Sequence, residues 1–273
     1  MPYTKSIAII HAHPDDEAIF TSGVSSHFAE LGHDVTLITC TNGSLGRDDQ
    51  GREGNHPEHN TEWTIATRAA ELEKSAKLVG FNRVFNLGYD DSGLPEWDQF
   101  KNPKAFVNAD FEEASQKMGE IINEVQAMVL ITYDENGFYG HPDHIMANRV
   151  TGRAAYLAMC PQRIYYPVMP QRIMEEFIPA AKAKGIELPE WILRAVTDTP
   201  DEFVDTTMDV RRFAKIKQQA ILTHASQIDN SDIANMDEEL FMMLFGTEYY
   251  HRAWSRIPTE HDATDLFGGM PVE

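Results

Sequence analysis

The chain has 273 residues, 42% of them hydrophobic and 10% aromatic, which suits one large globular domain and excludes a disordered or fibrous polymer. Its 43 acidic and 23 basic residues give a formal charge of −20, which disfavours nucleic acid or an anionic membrane surface as partner. Only Cys40 and Cys160 occur, no stretch has the basic start and apolar run of a signal peptide, and none approaches the roughly 20 apolar residues of a membrane span, so a soluble cytoplasmic protein is expected.

Ser6 to Ile10 is a short β-branched run of the kind that forms a buried parallel strand. Glu17 to Leu31 is helical in pattern, with Gly32 as its stop. A second strand, Asp34 to Cys40, ends in the turn-forming Thr41-Asn42-Gly43. Thr61 to Val79 is a helix closed by Gly80, and Arg83 to Leu87 a third strand. Phe111 to Val125 forms a helix and Met128 to Thr132 a strand. Pro142 to Met159 is a helix with proline near its first position, where the missing N–H costs nothing. The signals then loosen: Tyr165 to Met169 as a strand, Met174 to Lys184 and Arg211 to Leu222 as helices.

Strands alternating with helices imply right-handed crossovers and a Rossmann-like α/β fold, a parallel sheet with helices on both faces. With no linker, repeat or low-complexity tract, the chain is expected to be one domain over 1–273. An α/β core would occupy 1–160 and a C-terminal elaboration 161–273. Ligands bind such sheets outside the carboxyl ends of the strands. Two loops at those ends stand apart: His11-Ala12-His13-Pro14-Asp15-Asp16-Glu17 and Asn136-Gly137-Phe138-Tyr139-Gly140-His141-Pro142-Asp143-His144.

Together they suit zinc, one ion per chain. A catalytic zinc site takes three ligands from His, Asp and Glu and leaves a position for water, and His13, Asp16 and His144 supply that set. Ferrous iron is compatible with the same ligand types. Asp15, the spare carboxylate, can take a proton from water acidified by the ion. His141 can donate a proton to the departing amine or stabilise the oxyanion, and Tyr139 offers a phenol to the same oxyanion. Asp143 can hold one ring nitrogen of His141 and fix its tautomer. The blander expectation makes Asp15 or Asp16 a helix cap; two His-Pro-Asp cassettes in loops of matching topology weigh against it. His11 is as well explained by packing as by a site role. His56, His59, His224, His251 and His261 are expected to be ordinary, and Cys40 a small buried hydrophobe.

Ala12-His13-Pro14-Asp15-Asp16-Glu17 with His141-Pro142-Asp143-His144 resembles the LmbE-like, or PIG-L-like, zinc N-deacetylases. Tyr133-Asp134-Glu135-Asn136-Gly137, Asp91-Ser92-Gly93-Leu94-Pro95, Arg68-Ala69-Ala70-Glu71-Leu72 and Ser255-Arg256-Ile257-Pro258 look like the mycothiol branch of that family. The resemblance implies hydrolysis of the amide on an amino sugar, of the N-acetylglucosaminyl-inositol or mycothiol-conjugate type, with a small-molecule substrate and no nucleic acid. It repeats the zinc ligands and the base, and adds Arg68 and Asp91 as contacts for sugar or inositol hydroxyls. Ala18-Ile19-Phe20 departs from the small polar residues usual in that branch, which leaves the acyl and conjugate specificity open. Another N-acetylated sugar, or a metal-containing sugar-binding module without catalysis, are the alternatives. A zinc peptidase is disfavoured, because no His-Glu-x-x-His occurs. The oligomeric state is left open, a homo-oligomer included.

Overall fold

The computed structural model describes residues 5–186, 188, 193, 200–227, 236–257 and 264–270. Strand β1 (Ser6–His11) is buried along its whole length, and its alternating side chains feed two cores. Ile7 and Ile9 pack with Val24, Phe28, Val35 and Leu37, while Ala8 and Ile10 pack with Ile38, Met118 and Val150 on the opposite face. That two-sided burial is why the strand reads as a continuous apolar run.

After β1 come helices α1 (Asp16–Phe20) and α2 (Ser22–Glu30), strand β2 (Asp34–Thr41), helix α3 (Thr61–Val79) and strand β3 (Arg83–Tyr89). Helix α4 (Phe111–Glu124), strand β4 (Val129–Ile131), the single turn α5 (Gly137–Gly140), helix α6 (Pro142–Ala158) and strand β5 (Arg163–Val168) follow. The C-terminal part adds α7 (Gln171–Ala183), β6 (Thr206–Asp209), α8 (Ala214–Thr223), α9 (Glu238–Phe245) and β7 (Thr247–Ser255). The seven strands form one sheet in the order β3-β2-β1-β4-β5-β7-β6. Strands β1 to β5 pair in parallel, as expected.

Strand order reverses between β1 and β4. The loops leaving their carboxyl ends therefore diverge around a crevice, and the two histidine-bearing loops are those loops. Helix α3 matches its expected limits: Asn60 accepts from Trp63 N–H at the start, and Gly80, at φ +99°, ends it.

Three sequence expectations are corrected. The helix expected over Glu17–Leu31 breaks at Thr21, whose φ of −138° leaves helical space. The second piece is capped from 225 residues away: Glu248 accepts from the backbone N–H of Gly23 and Val24, a cap that no local pattern reveals. The helix expected from Arg211 begins as a 3-10 turn, Arg211–Phe213, and becomes α-helical only at Ala214. Finally, the sheet is not wholly parallel, since β7 runs antiparallel to both β5 and β6. Among the described residues no helix is long and apolar enough to cross a membrane.

Candidate active site

The loop after β1 turns sharply because Asp15 adopts φ +122°, ψ −29°. Positive φ is uncommon for a side chain with a Cβ, although Asp tolerates it better than most. Such strain costs on the order of 1–3 kcal/mol and persists only where the surroundings enforce it. Here Asp15 N–H donates to Glu17 Oε2 at 2.9 Å. Arg68 Nη2 donates to Pro14 O at 2.7 Å and to Asp15 Oδ2 at 3.0 Å. The turn brings Asp16 back under His13, whose backbone N–H donates to Asp16 Oδ2 at 2.8 Å.

His144, from the first turn of α6, meets these two residues. His13 Nδ1 lies 3.4 Å from Asp16 Oδ2, His144 Nε2 lies 3.6 Å from the same oxygen, and the two nitrogens are 3.3 Å apart. A tetrahedron with metal–nitrogen bonds of about 2.0–2.1 Å has edges of about 3.3–3.4 Å, so this triangle fits one small divalent ion. The outward nitrogens agree. His13 Nε2 bonds Asp143 Oδ2 at 3.2 Å and His144 Nδ1 bonds Gly137 O at 3.2 Å. Those protons occupy the outer nitrogens and leave Nδ1 of His13 and Nε2 of His144 as lone-pair donors.

Among the described residues, His13 with His141 and His144, and His13 with Asp91 and Asp143, also place ligand atoms within 4.8 Å of one another. His141 Nδ1 already accepts from Asp143 N–H at 3.2 Å, and Asp143 receives Ser92 N–H and Ser92 Oγ on its two oxygens.

Burial opposes charge on His13, but Asp91, Asp143 and Asp16 outweigh it and hold its pKa well above the ordinary value. Burial likewise opposes ionisation of Asp16, yet His144 and His13 keep its carboxyl well below the usual range. Burial pushes His144 down to about 3.

Behind the triangle sits Tyr133. Its hydroxyl donates to Asp16 Oδ2 at 2.6 Å and accepts from Ala12 N–H at 2.8 Å, and its ring stacks on His144 at 3.9 Å. His11 Nδ1 lies 3.1 Å from the same hydroxyl and its Nε2 2.8 Å from Thr21 Oγ1. Because the single phenolic proton goes to Asp16, His11 must donate through Nδ1. It therefore steadies Tyr133 rather than binding an ion. Asp143 departs from its expected role. Its buried carboxylate grips His13 and Ser92, and His141 is oriented by the Asp143 backbone N–H instead.

Asp15, Asp91, Tyr139 and His141 border a cleft of about 280 Å³, with Trp97 and Glu53 on its rim. Burial raises the Asp15 carboxyl to about 6 against the pull of Arg68. Burial, then His13 and His144, push His141 down to about 3. Burial also raises the Tyr139 phenol, which stays protonated. Arg68 lines the same cleft; Nη1 donates to Gly43 O at 2.7 Å and Nη2 to Pro14 O and Asp15, while Nε has no partner among the described residues. Asp91 Oδ1 accepts from Gly93 N–H at 2.9 Å and lies 3.6 Å from His13 Nε2.

Of the histidines expected to be ordinary, His56 and His59 make local turn contacts and His251 pairs with Asp205. His261 lies outside the described residues. His224 is different: fully buried, it bonds Glu17 through Nε2 at 2.7 Å. Cys40 is a buried core residue, as expected. Sequence reasoning missed Glu17, Tyr133 and His224 as site residues. Tyr133 and Glu17 carried a local signal, since they follow β4 and β1 at the point where strand order reverses; His224 carried none.

A family profile described as PIG-L, GlcNAc-PI de-N-acetylase, matches residues 8–155. The 1D-myo-inositol 2-acetamido-2-deoxy-alpha-D-glucopyranoside deacetylase of Salinispora arenicola is 33% identical, over 98% of this chain and 92% of that protein. The protein of the same name from Geodermatophilus obscurus is 32% identical over 99% and 100%. Among solved structures, the N,N'-diacetylchitobiose deacetylase of Pyrococcus horikoshii superposes with a TM-score of 0.57 at 19% identity, over 91% of this chain and 82% of that one. A 4-carboxy-2-hydroxymuconate hydratase from Pseudomonas putida reaches 0.61 at 15% identity, over 94% and 100%. At such identities the likeness shows the fold alone, and a hydratase beside a deacetylase illustrates why chemistry has to be argued from the site.

Proposed function

The chain belongs to the PIG-L, GlcNAc-PI de-N-acetylase family, and on that premise we propose that it hydrolyses the N-acyl amide on the amino sugar of an N-acetylglucosaminyl-inositol or mycothiol-conjugate type substrate, using zinc held by His13, Asp16 and His144. The observation that carries this is the triangle of three donor atoms 3.3–3.6 Å apart with an ionisable carboxylate, Asp15, at the cleft beside it. Bound there, the ion supplies Lewis acidity toward the attacking water and the acyl oxygen. Ferrous iron satisfies the same donors. One domain over 1–273 is part of the proposal, because β5, β7 and β6 continue the sheet of the first 160 residues.

Asp15 takes a proton from the attacking water as the water oxygen bonds the acyl carbon. A base with a pKa of about 6 is ionised at neutral pH and still holds a proton well enough to return it. That proton goes to the amide nitrogen as the C–N bond breaks, leaving the free amine and the carboxylic acid, which then gives its proton to solvent. His141 Nδ1 accepts from Asp143 N–H, so its Nε2 carries the hydrogen. That N–H and the Tyr139 hydroxyl donate to the acyl oxygen as it becomes negative. Arg68 and Asp91, with Trp97 and Glu53 beside them, are the cleft groups that meet the sugar.

Free amine release from N-acetylglucosaminyl-inositol, mycothiol conjugates and chitooligosaccharides tests the substrate. Fastest release from either of the first two is expected; release from chitooligosaccharides alone would overturn the assignment. The metal set has its own check. Because Asp91, Asp143 and Asp16 favour the proton on His13 and the ion needs its lone pair, metal binding should release protons. Titration calorimetry in buffers of different ionisation enthalpy reads this directly. His144→Ala should lose the ion. Full metal content in that variant would show that the ligands are misassigned.

A further inference from the structure

The strained backbone of Asp15 has a support that runs to the far end of the chain. Glu17 accepts the Asp15 backbone N–H on Oε2, while its Oε1 accepts from Ser75 Oγ of α3 and from His224 Nε2 at 2.7 Å. Glu17 and His224 are both fully buried, and His224 Nδ1 has no partner among the described residues. An unpaired buried nitrogen costs stability. Packing alone would favour an apolar side chain at that position, so the imidazole is better explained by what its other nitrogen holds.

The rest of the segment 224–227 docks on the same region. Ser226 gives its N–H and hydroxyl to Glu71 of α3, at 2.9 and 2.6 Å. Gln227 accepts from Arg47 N–H at 2.8 Å and donates to Arg47 O at 3.0 Å. Arg47 follows Gly43 and Gly46, both of which approach the Arg68 guanidinium too closely to carry a Cβ. Asp15 is thus clamped from two sides, at its carboxylate by Arg68 and at its backbone by Glu17.

We propose that Glu17 and His224 are positioning residues for the reaction: through the Asp15 backbone they aim its carboxylate into the cleft, and by this route the C-terminal part of the chain sets turnover. The inference rests on Asp15 being the base. Neither residue lines the cleft, so neither touches substrate.

In Glu17→Gln one carboxylate oxygen becomes an amide NH₂: facing the Asp15 N–H it sets donor against donor, and facing His224 it forces the ring to move its proton to Nδ1 and accept at Nε2, so either way the native Asp15–Glu17–His224 arrangement is changed. His224→Leu removes the donor but keeps the bulk, whereas His224→Gln keeps a donor where Nε2 stood. Glu17→Gln and His224→Leu should lower kcat by about tenfold to a hundredfold, the cost of a base misplaced by a fraction of an ångström to an ångström. KM and metal content should stay as in the wild type, and His224→Gln should recover most of the loss.

The deciding measurement is a double-variant cycle read by product accumulation over long incubation. If Glu17 acts through Asp15, adding Glu17→Gln to Asp15→Asn costs nothing further. A multiplicative further loss, or parallel loss of metal, would overturn the inference while leaving Asp15 as the base. Retained turnover in Asp15→Asn alone would instead remove the base assignment, and the inference with it. If Glu17→Gln fails to fold, the Leu and Gln variants of His224 decide: equal turnover in the two would overturn the proposal.

Discussion

Asp15→Asn is expected to lose about 10²–10⁴-fold in kcat, the usual worth of a positioned general base, while keeping its metal and melting no earlier than the wild type. The stability half of this follows from linkage. In the folded chain burial raises the Asp15 carboxyl from 3.8 to about 6. The folded state therefore binds the proton more tightly than the unfolded chain, and stability falls as pH rises from about 4 to about 6. Above that window the ionised carboxylate is a net burden on the fold. Asn removes the charge, keeps the shape and tolerates positive φ. Against this gain stands the loss of the Arg68 ion pair, which lies at 3.0 Å with both side chains mostly buried. Since the carboxyl pKa is raised in spite of Arg68, the burden outweighs the pair. Metal-free Asp15→Asn should thus equal the wild type near pH 4 and melt higher at pH 8. Thermal melts at the two pH values in chelator, with metal analysis and kcat on the loaded protein, make the test. An Asn variant that turns over normally would remove Asp15 from the mechanism. One that melts well below the wild type at pH 8 would make Asp15 a structural anchor.

This behaviour was half legible from sequence, and the division has a physical basis. His13, Asp15, Asp16 and His144 sit in short cassettes directly after predicted strands, where strand polarity places ligand-binding loops. Local periodicity was enough to place them. Helix α3 was equally legible, because an Asn cap and a left-handed Gly at its ends are local signals. The rest is non-local. Glu248 caps α2, and His224 reaches Glu17 across 207 positions. Strands β6 and β7 are edge and antiparallel additions whose alternation is weak. Asp143 shows the finer limit. Its neighbour His141 is adjacent in sequence, yet helix geometry turns the carboxylate toward His13 and Ser92 and leaves only the backbone N–H for His141. Adjacency in a loop predicted the right pair and the wrong atom.

That atom decides how His141 works, and with it the second large effect. Sequence alone allowed His141 to be a proton donor to the amine or a partner of the oxyanion. In the structure its pKa is pushed down to about 3 by burial, with His13 and His144 adding to the push. A divalent ion in the neighbouring triangle disfavours an imidazolium further. The ring is neutral across the assay range, and its Nε2–H is a hydrogen-bond donor rather than an acid. Tyr139 is the other donor. Its phenol is held protonated, and its ring lies 4.9 Å from that of His144 and 6.1 Å from that of His141. Removing one such donor costs about 3 kcal/mol, roughly a hundredfold in kcat. Tyr139→Phe and His141→Ala should each lower kcat by that order with metal content unchanged. In His141→Ala the limbs of the kcat/KM pH profile should keep their positions, because His141, pushed down to about 3, does not titrate there. His141→Gln discriminates the two roles. It retains a neutral N–H and should recover part of the activity lost in the Ala variant; an imidazolium acid would leave Gln as inactive as Ala and would take the basic limb with it. Turnover preserved in both Tyr139→Phe and His141→Ala, with a lowered melting temperature, would reduce the loop to a packed turn and end the oxyanion assignment.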